Sequence, residues 1–303
     1  MISPNQTNLD TFLEVAYHPI YSGHVKHLIY DASWFEEGMG LELYESVLLE
    51  QHLPLLKGTD TMNSEVLAEG LAVYRECVKQ QRMLSINGEL IAALQIGLRK
   101  FSSLRTFIIE EGWPFDRSLR SKADGPGQLY RNWNPLHLWP SDVDGDDRPP
   151  WIGEHFMSVL TALTASGRQV QHLDWHHRQT VELDQFSRLP EQFQADSTVT
   201  FQRLRYLSLW IGGTQPLSDK SIAAFSQFLH AADAIEEMRL YCGNPELYLP
   251  FLLLVRSQNW PHLRILCIDG FQISQTHLLT ILHHHAGTLR GVTLHMVKLG
   301  EGL

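Results

Sequence analysis

The chain has 303 residues, 44% of them hydrophobic, with 24 lysines and arginines against 34 aspartates and glutamates and a formal charge of −10. That composition can bury a large core, and its acidic balance excludes a nucleic-acid backbone as principal ligand, which wants a clustered basic face. Three widely spaced cysteines (Cys77, Cys242, Cys267) exclude a disulfide framework, and the most apolar run, Tyr248 to Val255, is far too short to span a membrane. With no basic-then-apolar leader pattern at the N-terminus, a cytoplasmic or nuclear protein is expected.

Along the chain a six-residue phrase, apolar-x-x-apolar-x-apolar, recurs seven times. It starts at Val25 (VKHLIY), Leu104 (LRTFII), Val170 (VQHLDW), Leu204 (LRYLSL), Ile235 (IEEMRL), Leu263 (LRILCI) and Leu289 (LRGVTL). Successive starts lie 79, 66, 34, 31, 28 and 26 residues apart, so the last five copies fall in the period range of strand-helix repeats. The expectation is an α/β fold: a leucine-rich-repeat-like solenoid with parallel strands on one face, helices on the other, and an irregular N-terminal half.

Between the early phrases, residues 64–83, 89–101 and 151–165 read as amphipathic helices. Residues 112–150, rich in proline and glycine and carrying the acidic tract SDVDGDD, read as a long irregular excursion. This divides the chain into an N-terminal stretch at 1–111, the excursion at 112–150 and regular repeats at 151–303. Within the repeats, Ser218 can cap a helix bearing Ile222, Phe225, Phe228 and Leu229. Asn244-Pro245 opens another over Leu247 to Val255, closed by Trp260-Pro261. Ser274 precedes a third with Leu278, Leu279 and Leu282, and Gly287 marks its stop.

Because side chains alternate along a strand, the first, fourth and sixth phrase positions should enter the core, and the third, fifth and seventh should face the other way. Those outward positions include His172, Asp174 and His176 of the third phrase, Tyr206, Ser208 and Trp210 of the fourth, Glu237, Arg239 and Tyr241 of the fifth, and Ile265, Cys267 and Asp269 of the sixth. Exposed tyrosine and tryptophan beside arginine and carboxylates is the mixture that protein-binding hot spots favour. The partner-binding residues expected are therefore Tyr206, Trp210, Arg239, Tyr241, His172, Asp174, His176 and Asp269.

Chemistry leaves no comparable trace. Asp142, Asp144 and Asp146 alternate as in a calcium loop, but Asp147 stands where glycine and Gly153 where glutamate is required. His283, His284 and His285 point about 100° apart on a helix, and His172 and His176 sit about 13 Å apart on a strand, too far for one metal ion. No nucleophile elbow, phosphate-cradling glycine loop or H-E-x-x-H is present. The reading is a non-enzyme without cofactor or metal, with a motif-free hydrolase or metal enzyme as a remote alternative.

Two segments, FLEVAYHPIYSGHVKHLIYDASWF (Phe12 to Phe35) and LRILCIDGFQISQTHLLTILHHHAGTLRGVTLHMVKLGEG (Leu263 to Gly302), resemble filamentous-fungal F-box proteins with leucine-rich-like C-terminal regions. The resemblance implies the substrate-recognition portion of a cullin-RING ubiquitin ligase subunit, binding another protein. Only Met1 to Thr11 precede the first segment, so no F-box is recognisable and docking of the ligase adaptor is not expected. An alternative is a truncated chain without autonomous activity, because a solenoid that stops after a strand lacks a polar capping repeat.

Overall fold

A computed structural model describes residue 2 and residues 5–32, 38–52, 64–110, 153–176, 181–189, 192–212, 218–242 and 260–300. The expected excursion at 112–150, its acidic tract and the expected helix over 247–255 lie outside these residues.

All seven phrases form strands: β1 (His27–Asp31), β2 (Thr106–Glu110), β3 (His172–His176), β5 (Tyr206–Gly212), β6 (Glu237–Cys242), β7 (Ile265–Asp269) and β9 (Gly291–His295). They lie side by side in chain order within one parallel sheet, with the two-residue β4 (Val181–Glu182) pairing alongside β5. Strands from the 1–111 and 151–303 stretches thus belong to the same sheet. The register follows the phrase: His27 pairs with Thr106, Thr106 with His172, then Tyr206, Glu237, Ile265 and Gly291 in turn. At the entrance to the strands, each carbonyl at the second phrase position accepts two N–H groups from the next phrase. Lys26 receives Arg105 and Thr106, and the same step repeats through Arg105, Gln171, Arg205, Glu236 and Arg264 to Arg290. Parallel pairing of equal phrases is what a repeating apolar pattern demands, since one residue of slip would turn every core side chain outward.

Before β1 runs α1 (Gln6–Tyr17), and between the strands run α2 (Leu41–His52), α3 (Ser64–Ile86), α4 (Glu89–Lys100), α5 (Gly153–Ser166), α6 (Leu183–Phe186), α7 (Gln192–Phe201), α8 (Asp219–His230) and α9 (Gln275–His284). Their starts have local causes: the side chains of Asn5, Ser218 and Ser274 accept from the backbone N–H of Asn8, Ser221 and His277 at 2.9, 3.1 and 3.3 Å. In α4, Glu89 lies in the first turn and Arg99 and Lys100 in the last, matching the helix dipole. The expected capping serines are in place, but in α8 the buried residues are Ser221, Phe225, Phe228 and Leu229, with Ile222 only half-buried.

The core lies between one face of the sheet and a row of helices, in which α4 packs on α1 and α5, α5 on α7, and α6 and α7 on α8. Aromatic rings join helix to sheet and helix to helix: Phe156 of α5 meets Trp175 of β3 edge-on at 4.7 Å, Phe186 of α6 meets Phe225 of α8 at 5.0 Å, and Phe201 of α7 meets Phe228 of α8 at 5.1 Å. Leu173, Leu207, Leu209, Met238, Leu240, Leu266 and Ile268 are fully enclosed, as the phrase requires.

The two ends of the sheet differ. Beside β1, Ile2 adds a parallel bridge, its N–H donating to Ile29 and its carbonyl accepting from Asp31, and its side chain is buried. At the other end the phrase expectation needs correction. Val292 and Leu294 occupy core positions of β9 yet are 40% and 42% exposed, and α9 buries no residue completely. The expected apolar face of α9 is correspondingly incomplete: Leu278 and Leu282 are half-buried and Leu279 is exposed. An apolar pattern sets the side on which a residue points; enclosure needs a neighbour on that side, and among the described residues β9 has one only on its β7 flank.

A smaller parallel ladder of β8 (Gln272–Ser274) and β10 (Lys298–Gly300) follows β7 and β9. Both connections use a left-handed residue, Gly270 at φ +74° and Met296 at φ +43°. A side chain at Gly270 would place its Cβ 2.9 Å from the Cys242 carbonyl oxygen, so glycine is required there on two counts.

Candidate functional site

The strand face opposite the helices carries the third, fifth and seventh phrase positions, and the register turns them into rows across strands. The row of third positions brings His172, Tyr206 and Glu237 side by side. Imidazole and phenol stack at 4.0 Å with 3° between planes, and the Arg239 guanidinium lies 5.7 Å from the centre of the Tyr206 ring. Arg239 also donates to Glu237 at 2.7 Å, a charge-assisted bond that raises the guanidinium pKa and holds its plane over the ring.

In the row of seventh positions Trp210 pairs with Tyr241 and Tyr241 with Asp269. Trp210 and Tyr241 stack at 5.0 Å with 15° between planes, forming an aromatic shelf on β5 and β6. Beyond the shelf, Asp269 meets His295 at 3.0 Å. The row of fifth positions joins Asp174, Ser208, Arg239 and Cys267, with Ser208 buried beneath its larger neighbours.

Local electrostatics follow from partial burial. Burial lowers the pKa of His172, outweighing the opposing pull of Asp174 and Glu237, so the imidazole is neutral near pH 7. Burial raises the pKa values of Tyr206 and Tyr241 and of the Cys267 thiol, which keeps all three protonated. Asp174 and Asp269 are each about four-fifths covered (18% and 19% exposed), and in each one carboxylate oxygen, Oδ1, is out of solvent contact without a hydrogen-bond donor. The second oxygen of Asp174 lies 3.9 Å from the neutral His172, too far for a hydrogen bond.

Of the eight residues expected from sequence, the structure assembles His172, Tyr206 and Arg239 as one contact group and Trp210 with Tyr241 as another, with Asp174 and Asp269 to either side. His176 holds the seventh position of β3 by register with Glu110. Glu237 and His295 complete the arrangement. Both lie at outward phrase positions: Glu237 sits two residues from Arg239 on the same face of β6, which the period of two encodes, whereas the meeting of His295 with Asp269 depends on cross-strand proximity, which one-dimensional spacing does not encode.

Among the described residues no group of three or more histidines, cysteines, aspartates or glutamates could hold a metal ion, and no helix is long and apolar enough to cross a membrane. A depression of about 630 Å³ lined by Thr276, Leu279, Thr280, His283 and His284 lies on α9, away from the strand face. No family model matches the chain, and no curated protein or solved structure matches it either.

Proposed function

We propose that the chain is a leucine-rich-repeat-like solenoid acting as a protein-interaction module through its strand face. The observation that carries this reading is the pre-assembled surface of His172–Tyr206–Arg239 and Trp210–Tyr241. Stacked aromatics with few free rotors bind at low entropic cost, and Tyr, Trp and Arg dominate interface energetics. The sequence resemblance extends the reading to a substrate receptor of F-box type, related to cullin-RING ubiquitin ligases. Three cysteines, too few and too widely spaced for a disulfide framework, support an intracellular setting, cytoplasmic or nuclear.

The test is affinity purification from native extract followed by mass spectrometry, with Trp210→Ala/Tyr241→Ala as the paired control. A partner retained by the wild type and lost in the control supports the module, and co-purification of the ligase adaptor adds the ligase role. Retention of chaperones alone refutes it.

The uncovered apolar side of β9 favours a second reading, in which the chain has no autonomous activity until another element covers Val292 and Leu294. That reading predicts concentration-dependent aggregation; a monodisperse, cooperatively unfolding monomer rules it out.

A further inference from the structure

Among the described residues, the strand face between β3 and β9 carries the carboxylates of Asp174, Glu237 and Asp269 against one permanent cation, Arg239, which Glu237 already neutralises at 2.6 Å. Asp174 and Asp269 are left without a permanently charged partner, each with an oxygen that is both desolvated and undonated. Buried acceptors are almost always satisfied in folded proteins, so two on one surface mark a place where donors are missing. Rotation of a carboxylate exchanges its two oxygens, so a donor reaching either one completes the group. The shelf of Trp210 and Tyr241 lies between the two aspartates, and an aromatic face attracts a cation passing over it. The whole chain, at −10, favours encounter with a positive partner.

Resting on the strand-face reading above, we propose that the ligand of this surface is an extended basic segment of another protein, whose lysine or arginine side chains fill Asp174 and Asp269 while the intervening residues cross the Trp210–Tyr241 shelf. Asp174 and Asp269 are three strand spacings and two residues apart, about 16 Å between their Cα atoms. An extended segment places residues four apart on the same side at about 13 Å, and the length of a lysine or arginine side chain covers the difference. The segment therefore carries two basic residues four positions apart.

The experiment is selection of a random decapeptide display library on the immobilised full chain, followed by binding of the enriched peptides to variants. The expected result is enrichment of lysine or arginine at two positions four apart. Affinity should fall about ten-fold or more in Asp174→Asn/Asp269→Asn. It should be unchanged in Asp233→Asn, which lies outside the strand face, and weaker at about 300 mM salt than at about 50 mM. Enrichment of acidic or uncharged peptides that Trp210→Ala releases overturns the basic ligand and leaves the strand-face reading intact. If no enriched peptide is released by Trp210→Ala, both fall. Binding of basic peptides that is indifferent to the aspartate substitutions also overturns the proposal.

Discussion

Leu209 and Leu294 occupy the same sixth position of the phrase, in parallel strands of one sheet, and differ in what lies over them. Leu209 is fully enclosed by the helix layer, whereas Leu294 is 42% exposed on β9, the end strand of the larger sheet. Truncating Leu209 to alanine removes three buried carbons and leaves a void, at a cost of about 2–5 kcal/mol. Truncating Leu294 removes the same atoms, worth about 2.4 kcal/mol if fully buried, but little more than half of that burial exists and water enters the space. The expected cost is about 1–1.5 kcal/mol. Equilibrium urea unfolding followed by tryptophan fluorescence, comparing midpoints at a common slope, separates the two. If Leu294→Ala costs as much as Leu209→Ala, β9 is covered in solution, and the account of a half-exposed sheet edge is wrong. A cost below about 1 kcal/mol at Leu209 would instead refute the helix-covered core.

The two left-handed positions give a second matched pair. Gly270→Ala meets both φ +74° and the Cys242 carbonyl and should cost about 1–3 kcal/mol, while Met296→Gly relieves the left-handed penalty of an exposed side chain and should raise stability by up to about 1 kcal/mol; unfolding midpoints moving in the opposite sense would contradict this. Gly97 of α4 faces the Phe12 ring of α1 at such close range that a methyl group has no room, so Gly97→Ala should cost about 1–3 kcal/mol, and Phe12→Leu in the same chain should recover part of it. Burial lowers the pKa of both His172 and His285 from the ordinary 6.5. Their neutral forms therefore contribute stability in full above about pH 6.5, and this is lost as pH falls below 6.5 and the unfolded chain takes up protons first. Unfolding at pH 7.5 and 5.5 should show a smaller difference for His172→Gln/His285→Gln than for the wild type; equal differences would remove histidine as the cause. Trp210→Ala should weaken partner binding by more than about 1 kcal/mol and cost about 0.5–1.5 kcal/mol of stability from the lost stack on Tyr241; unchanged affinity by titration calorimetry would remove the shelf from the interface.

The seven phrases, the alternation that sends Leu207 inward and Trp210 outward, and the serine caps of α8 and α9 were all legible in the sequence. Each rests on local rules: a period of two in strands and a side-chain acceptor ahead of a helix. The same rules missed α2 and α7, whose weakly patterned residues become helical as spacers in a packed layer, and they missed β8 and β10, which are too short to carry a period. They also could not distinguish Leu240 from Leu294, because apolarity fixes a preference for burial and says nothing of whether a neighbour supplies it.

The chain's local chemistry thus determined which residues form the seven phrase strands, in what register and with which side outward. Only the tertiary structure decided that Arg239 is held between Glu237 and Tyr206, that Trp210 lies on Tyr241, and that Asp174 and Asp269 keep oxygens without donors. The contacts of Arg239 with Tyr206 and of Trp210 with Tyr241 join residues about thirty positions apart in the chain and one strand spacing apart in space, and the energy of a ring stack or a cation over a ring depends on the second distance alone.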